Sequence, residues 1–171
     1  MKKLIFIALI AISFSCGNTK KINQTVILPQ NNQEILLGEI NKVGLSSGSY
    51  GEWFNANYEA YQINDVWTSS VTPEMLKGIK VKLILGTWCG DSRREVPCFY
   101  KIMEAQKYPI EKMEVIAVDR EKKAKGFDIE KLGVTRVPTF IFYRNNIELG
   151  RIIESPKKSL EEDLIEIISN E

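Results

Sequence analysis

Three cysteines and no histidine bound the chemistry open to this 171-residue chain. Without histidine there is no Ser-His-Asp or Cys-His nucleophile, no His-liganded zinc and no zinc-protease motif. Cys16, Cys89 and Cys98 are one short of a four-cysteine metal site, so neither a metal nor another cofactor is implied. What remains is a lone thiol, a hydroxyl or carboxylates, or no chemistry at all, and Cys89 is the thiol to place first. A free thiol points to thiol–disulfide exchange, in which a thiolate attacks a disulfide sulfur. The 23 basic and 22 acidic residues nearly cancel, leaving no basic footprint for nucleic acid.

Such a thiol must be held where it is both activated and reachable. Val81 to Leu85 is a buried-strand signal that ends at Gly86. Val96, Phe99, Tyr100 and Met103 recur at i, i+3, i+4 and i+7, which predicts a core-facing helix from about Ser92 to Gln106. Cys89 lies between the two. A thiol at the mouth of a helix faces unpaired backbone N–H groups and the positive end of the dipole, which favour the thiolate. Ser92 and Glu95 also fit an S-x-x-E capping box, which would explain both without catalysis. Cys98 stands nine residues after Cys89. On a regular helix that is about 13 Å along the axis and about half a turn round. A disulfide needs Cα atoms within about 7 Å, so Cys98 reads as a small core residue.

The other elements follow from the same periodicities. Phe54, Tyr58 and Tyr61 predict an amphipathic helix over about 50–62, and Pro73 to Leu76 a short second one. Val115 to Val118 reads as a strand and residues 127–132 as a short helix. Thr139 to Tyr143 and Ile147 to Ile153 make a hairpin about Asn145-Asn146. Leu160, Leu164, Ile167 and Ile168 give a last helix, with Ser159 and Glu162 as its capping box. The order is β-α-β-α-β-β-α.

Ahead of the domain, Lys2 and Lys3 precede an apolar run from Leu4 to Ile12 and the small residues Ser13 and Ser15. These are the parts of a secretory signal, and the run is well short of the roughly 20 residues that span a bilayer. Cys16 directly after it resembles the lipobox of bacterial lipoproteins, although Ser13 replaces the usual aliphatic residue. An ordinary cleaved signal or an uncleaved anchor is the alternative; the expectation is a signal at 1–15, lipidation at Cys16 and a polar tether over 16–33. That makes an exported, membrane-anchored lipoprotein facing the periplasm, where disulfides persist.

Trp88-Cys89-Gly90-Asp91-Ser92 resembles the Trp-Cys-Gly-Pro-Cys site of thioredoxins, and Val137-Pro138-Thr139 resembles their cis-proline segment. The match runs from about residue 79 to the C-terminus. Cys89 to Pro97 is closest to the membrane-tethered, extracytoplasmic branch with its Cys-x-x-Cys-x-x-Glu-x-Pro pattern. The resemblance implies a three-layer α/β/α sandwich with a mixed central sheet, a domain over 34–171 and an N-terminal helical extension to its core. It implies that Cys89, Ser92 and Glu95 occupy catalytic positions, and that Trp88, Val137 and Pro138 bind substrate. Three departures stand out. Ser92 replaces the second cysteine, so intramolecular release of a mixed disulfide is lost. Leu83 stands six residues before Cys89, where thioredoxins have a buried aspartate. Asp91 replaces a proline, and its charge opposes a thiolate unless Arg93 or Arg94 compensates. The implied activity is monothiol exchange, isomerase-like or mixed-disulfide-reducing, with protein thiols as substrates and an external thiol as reductant. The alternative is a non-catalytic binding module on the same fold.

Overall fold

The computed structural model describes residues 21–169. In chain order these form β1 (Thr25–Leu28), β2 (Gln33–Leu36), β3 (Gly38–Ile40), α1 (Lys42–Leu45), α2 (Gly48–Ala60) and α3 (Asp65–Ser70). There follow β4 (Ile79–Leu85), α4 (Gly90–Ala105), β5 (Glu114–Ala117), β6 (Thr139–Arg144), β7 (Ile147–Ile153) and α5 (Leu160–Ser169). Among the described residues, β1 and β2 form a hairpin of their own, while a five-stranded mixed sheet runs in the order β3-β5-β4-β6-β7. β4 and β5 are parallel, and the other pairings are antiparallel. A parallel pair needs a crossover of about a dozen residues or more, and α4 supplies it.

The two-residue period of the strands sorts the core. Val81, Leu83 and Leu85 in β4, Val115 and Ala117 in β5, and Phe140 and Phe142 in β6 share one cluster with the buried faces of α2 to α5. Ile84, Ile116 and Ile141 point the other way, towards Val118, Ala124, Ile129, Val134 and Val137. On α4 the spaced residues Val96, Phe99, Tyr100 and Met103 are all buried, and Phe99 meets Phe140 at 4.6 Å between ring centroids. The mixed α/β architecture expected of the chain is the one observed.

Some local expectations do not hold. The tether read over 16–33 becomes structured by Thr25, because Pro29 to Asn32 is a turn rather than a linker. Asn32 N–H bonds back to the Leu28 carbonyl, the Asn31 side chain accepts from Gln33 N–H, and Leu28 is buried. The short helix expected at Pro73 to Leu76 is a set of turns, and the helix falls earlier, at α3, where the Asn64 side chain caps Val66 N–H. In place of the helix expected at 127–132, residues 129–133 are turns, closed by bonds from Leu132 N–H to the Ile129 carbonyl and from Gly133 N–H to the Glu130 carbonyl, with the Asp128 carboxylate capping Lys131 N–H. Phe127 bridges back to Ala124, and Gly133, with φ of +65°, ends the run. Cys16 and the signal at 1–15 lie outside the described residues. None of the described helices is long and apolar enough to cross a membrane.

Candidate active site

Between β4 and α4 the chain turns through Gly86, Thr87 and Trp88, and a set of hydrogen bonds holds that turn. Cys89 N–H bonds to the Gly86 carbonyl at 2.9 Å, and Gly86 N–H donates to Ser92 Oγ at 3.2 Å. Thr87 Oγ1 accepts Leu36 N–H at 3.1 Å, while the Thr87 carbonyl accepts from Arg93 Nε at 2.8 Å. The Trp88 indole N–H donates to the Val118 carbonyl at 2.8 Å. Its ring lies so close to Gly86 that an added Cβ would come within 2.6 Å of it. Glycine is required there by contact, not by φ.

Cys89 is the N-cap residue of α4, in extended conformation and half-buried. Its Sγ donates to the Val137 carbonyl at 3.1 Å, and the Val137-Pro138 peptide bond that follows is cis. The sequence expectation thus places Trp88, Cys89, Val137 and Pro138 together, and the structure does so. The first-turn N–H groups of a helix lack intrahelical partners, so this sulfur stands at the positive end of α4.

The capping box read at Ser92 and Glu95 is not formed. Cys89, not Ser92, caps the helix; Ser92 is fully buried inside it, and its hydroxyl closes the strand-to-helix turn by accepting Gly86 N–H. Glu95 is buried, and its charge acts on Cys98. Its carboxylate accepts from Arg94 Nε at 2.7 Å, and among the described residues no hydrogen bond or ion pair joins it to Cys89. Arg94 also bonds Asp91 at 2.7 Å and Ser155 Oγ at 2.9 Å, which neutralises the carboxylate nearest the thiol. Leu83 is fully buried among apolar side chains, so no acid occupies that place. Burial, reinforced by the charge of Glu95, pushes the Cys98 thiol up to about 11. That thiol donates to the Arg94 carbonyl at 3.1 Å. Among the described residues, no three Cys, Asp or Glu side chains converge on a metal-sized site.

Several supporting residues carry no sequence motif. Pro97 lies inside α4 and has no N–H to offer the Arg93 carbonyl four residues earlier. Asn57 from α2 supplies the missing donor at 3.2 Å. The Arg93 guanidinium also lies 5.9 Å from the Trp53 ring. Arg120 lies over Trp88, 4.9 Å from the ring centroid, and bonds Gln33 Oε1 at 3.1 Å. Pro97 was the single signal that a donor would be needed; which residue provides it is a tertiary matter.

A sequence profile of the family described as Thioredoxin matches residues 47–165. The chain is 26% identical over 112 residues to thioredoxin-like protein R548 of Acanthamoeba polyphaga mimivirus, covering 66% of this chain and 77% of that protein. Among solved structures, thioredoxin of Fasciola hepatica is similar at 23% identity, over 60% of this chain and 88% of that one, with a TM-score of 0.37. A protein of unknown function from Pseudomonas aeruginosa is similar at 13% identity, over 75% and 79% of the two chains, with a TM-score of 0.46.

Proposed function

The chain belongs to the thioredoxin family, and from that premise we propose that it exchanges thiols and disulfides through Cys89 alone. The observation that carries this reading is a half-exposed thiol at the start of α4 with a buried serine hydroxyl where a second thiol would stand. Deprotonated Cys89 attacks one sulfur of a substrate disulfide. A new S–S bond forms, and the other sulfur leaves as a thiolate with the electron pair. Ser92 cannot attack the mixed disulfide, so release requires a second thiolate, either from an external small thiol or from another cysteine of the substrate. Redox balance is kept in both routes. The first reduces a mixed disulfide at the expense of the external thiol, and the second rearranges substrate pairings.

The substrates on this reading are exported proteins. Lipidation of Cys16 holds the domain at the membrane on the periplasmic side, and labelling with a lipid precursor in cells tests this, with Cys16→Ser as the control. For the exchange reaction, the test is capture. Non-reducing electrophoresis of the full chain from cells should show mixed disulfides that depend on Cys89 and disappear with dithiothreitol. Ser92→Cys should convert the protein into a dithiol that turns over a model protein disulfide. No Cys89-dependent adducts from the native chain would refute the exchange reading. A binding module is favoured instead by the Sγ contact to the Val137 carbonyl, which occupies the thiol. Alkylation of Cys89 no faster than that of free cysteine would establish that alternative.

A further inference from the structure

The rim beside Trp88 carries a charge that thiol exchange itself does not use. Arg120 is exposed, stacked on the indole face, and its hydrogen-bond partner is the neutral Gln33 side chain. The neighbouring acids are engaged elsewhere. Asp119 accepts the N–H groups of Glu121 and Lys123, and Glu121 pairs with Lys123. The other arginines near the thiol differ. Arg94 is paired with Asp91 and Glu95, Arg136 with Glu154, and Arg93 donates to the Thr87 carbonyl. Arg120 is therefore the arginine of this rim that is exposed and has no carboxylate partner among the described residues.

Its position is set from two sides. The ring face attracts the cation. Trp88 is itself fixed by its bond to the Val118 carbonyl and by its contact with Gly86. Gln33, at the start of β2, holds the guanidinium from the hairpin, which precedes the residues that match the family. A guanidinium has five N–H donors in a planar fork, and Gln33 takes one of them. The others make no hydrogen bond to the described residues, on an exposed guanidinium that lies over the side chain next to Cys89 in sequence, and such a fork suits a carboxylate.

We propose that Arg120, held by Trp88 and Gln33, selects polypeptides that carry Asp or Glu next to the reacting cysteine. The proposal rests on the exchange reading of Cys89 and names the substrate class for that site.

The test uses short peptides with one cysteine, each joined by a disulfide to 2-nitro-5-thiobenzoate, with either Glu or Lys flanking the cysteine. The Cys89 thiolate bonds to the peptide sulfur, and nitrothiobenzoate leaves with the electron pair as a coloured thiolate. Rates are divided by those of free cysteine with the same peptide, which removes the peptides' own reactivity. The full chain should favour the Glu peptide by about two- to fivefold at low salt, the range of one exposed charge pair, and lose that preference in high salt. Arg120→Gln should bring the ratio to about one, and Arg120→Glu should invert it. A merely structural role would slow both peptides equally, and an unchanged ratio in either variant overturns the proposal. A native chain that releases no chromophore from either peptide overturns the exchange reading instead.

Discussion

Asn57→Ala tests how the helix that bears the thiol is held. In a helix each carbonyl accepts from the N–H four residues on, and at Arg93 that residue is Pro97, which has none. Asn57 Nδ2 fills the vacancy at 3.2 Å. A net hydrogen bond contributes about 0.5–1.5 kcal/mol, and a partly buried carbonyl left without a donor puts this one near about 1 kcal/mol. For a domain of this size that is about 2–4 °C in Tm. The decisive form is a double-mutant cycle, with denaturant unfolding of the native chain, Asn57→Ala, Pro97→Ala and the double variant. In the Pro97→Ala background, the N–H of residue 97 reaches the Arg93 carbonyl itself. The cost of Asn57→Ala should then shrink by about 0.5–1 kcal/mol, while any packing lost with the Asn57 side chain is common to both backgrounds and cancels. Equal costs in the two backgrounds would refute the assignment of Asn57 as the stand-in donor.

Two further outcomes follow from the site. Because burial and Glu95 raise the Cys98 thiol to about 11, roughly one part in a thousand is thiolate at pH 8. Iodoacetamide at that pH should therefore label Cys89 and not Cys98, with Cys98 becoming reactive only as the pH approaches 11, as peptide mass spectrometry would show; equal labelling of the two at pH 8 would contradict the burial. Gly86→Ala places a methyl group 2.6 Å from the Trp88 indole, so the ring must leave its bond to Val118. We expect a loss of about 1–3 kcal/mol and a red-shifted tryptophan emission, and an unchanged spectrum would show that the ring had room to spare.

What the residues declared in advance was local. The strand ending at Gly86 and the spacing of Val96, Phe99, Tyr100 and Met103 located the thiol at a strand-to-helix turn, whereas only the resemblance to thioredoxins pointed to Val137-Pro138 as its neighbour. The misses are tertiary or depend on turn chemistry. The capping box read at Ser92 and Glu95 gives way to the bond from Gly86 N–H to Ser92, which leaves Ser92 inside α4 and Cys89 at its N-cap. The 25–36 hairpin was hidden because its turn, Pro29 to Asn32, has the same polar composition as a linker. The donor for Arg93 and the clamp on Arg120 come from 36 and 87 residues away. No periodicity reports such pairs.

Position 92 shows how structure and chemistry can part at one residue. The turn needs a buried acceptor for Gly86 N–H, and a hydroxyl oxygen meets that need better than sulfur, which is a weak acceptor. Serine therefore preserves the geometry that presents Cys89 while removing the thiol that would release a captured partner. In a dithiol protein a wrong partner is expelled by the second sulfur as readily as a right one. On the exchange reading proposed for Cys89, a mixed disulfide with serine at that place lasts until an outside thiol arrives, so discrimination falls on the first encounter. The proposal for Arg120 puts a fixed charge at that step, and if both hold, selectivity is decided at the rim around the sulfur.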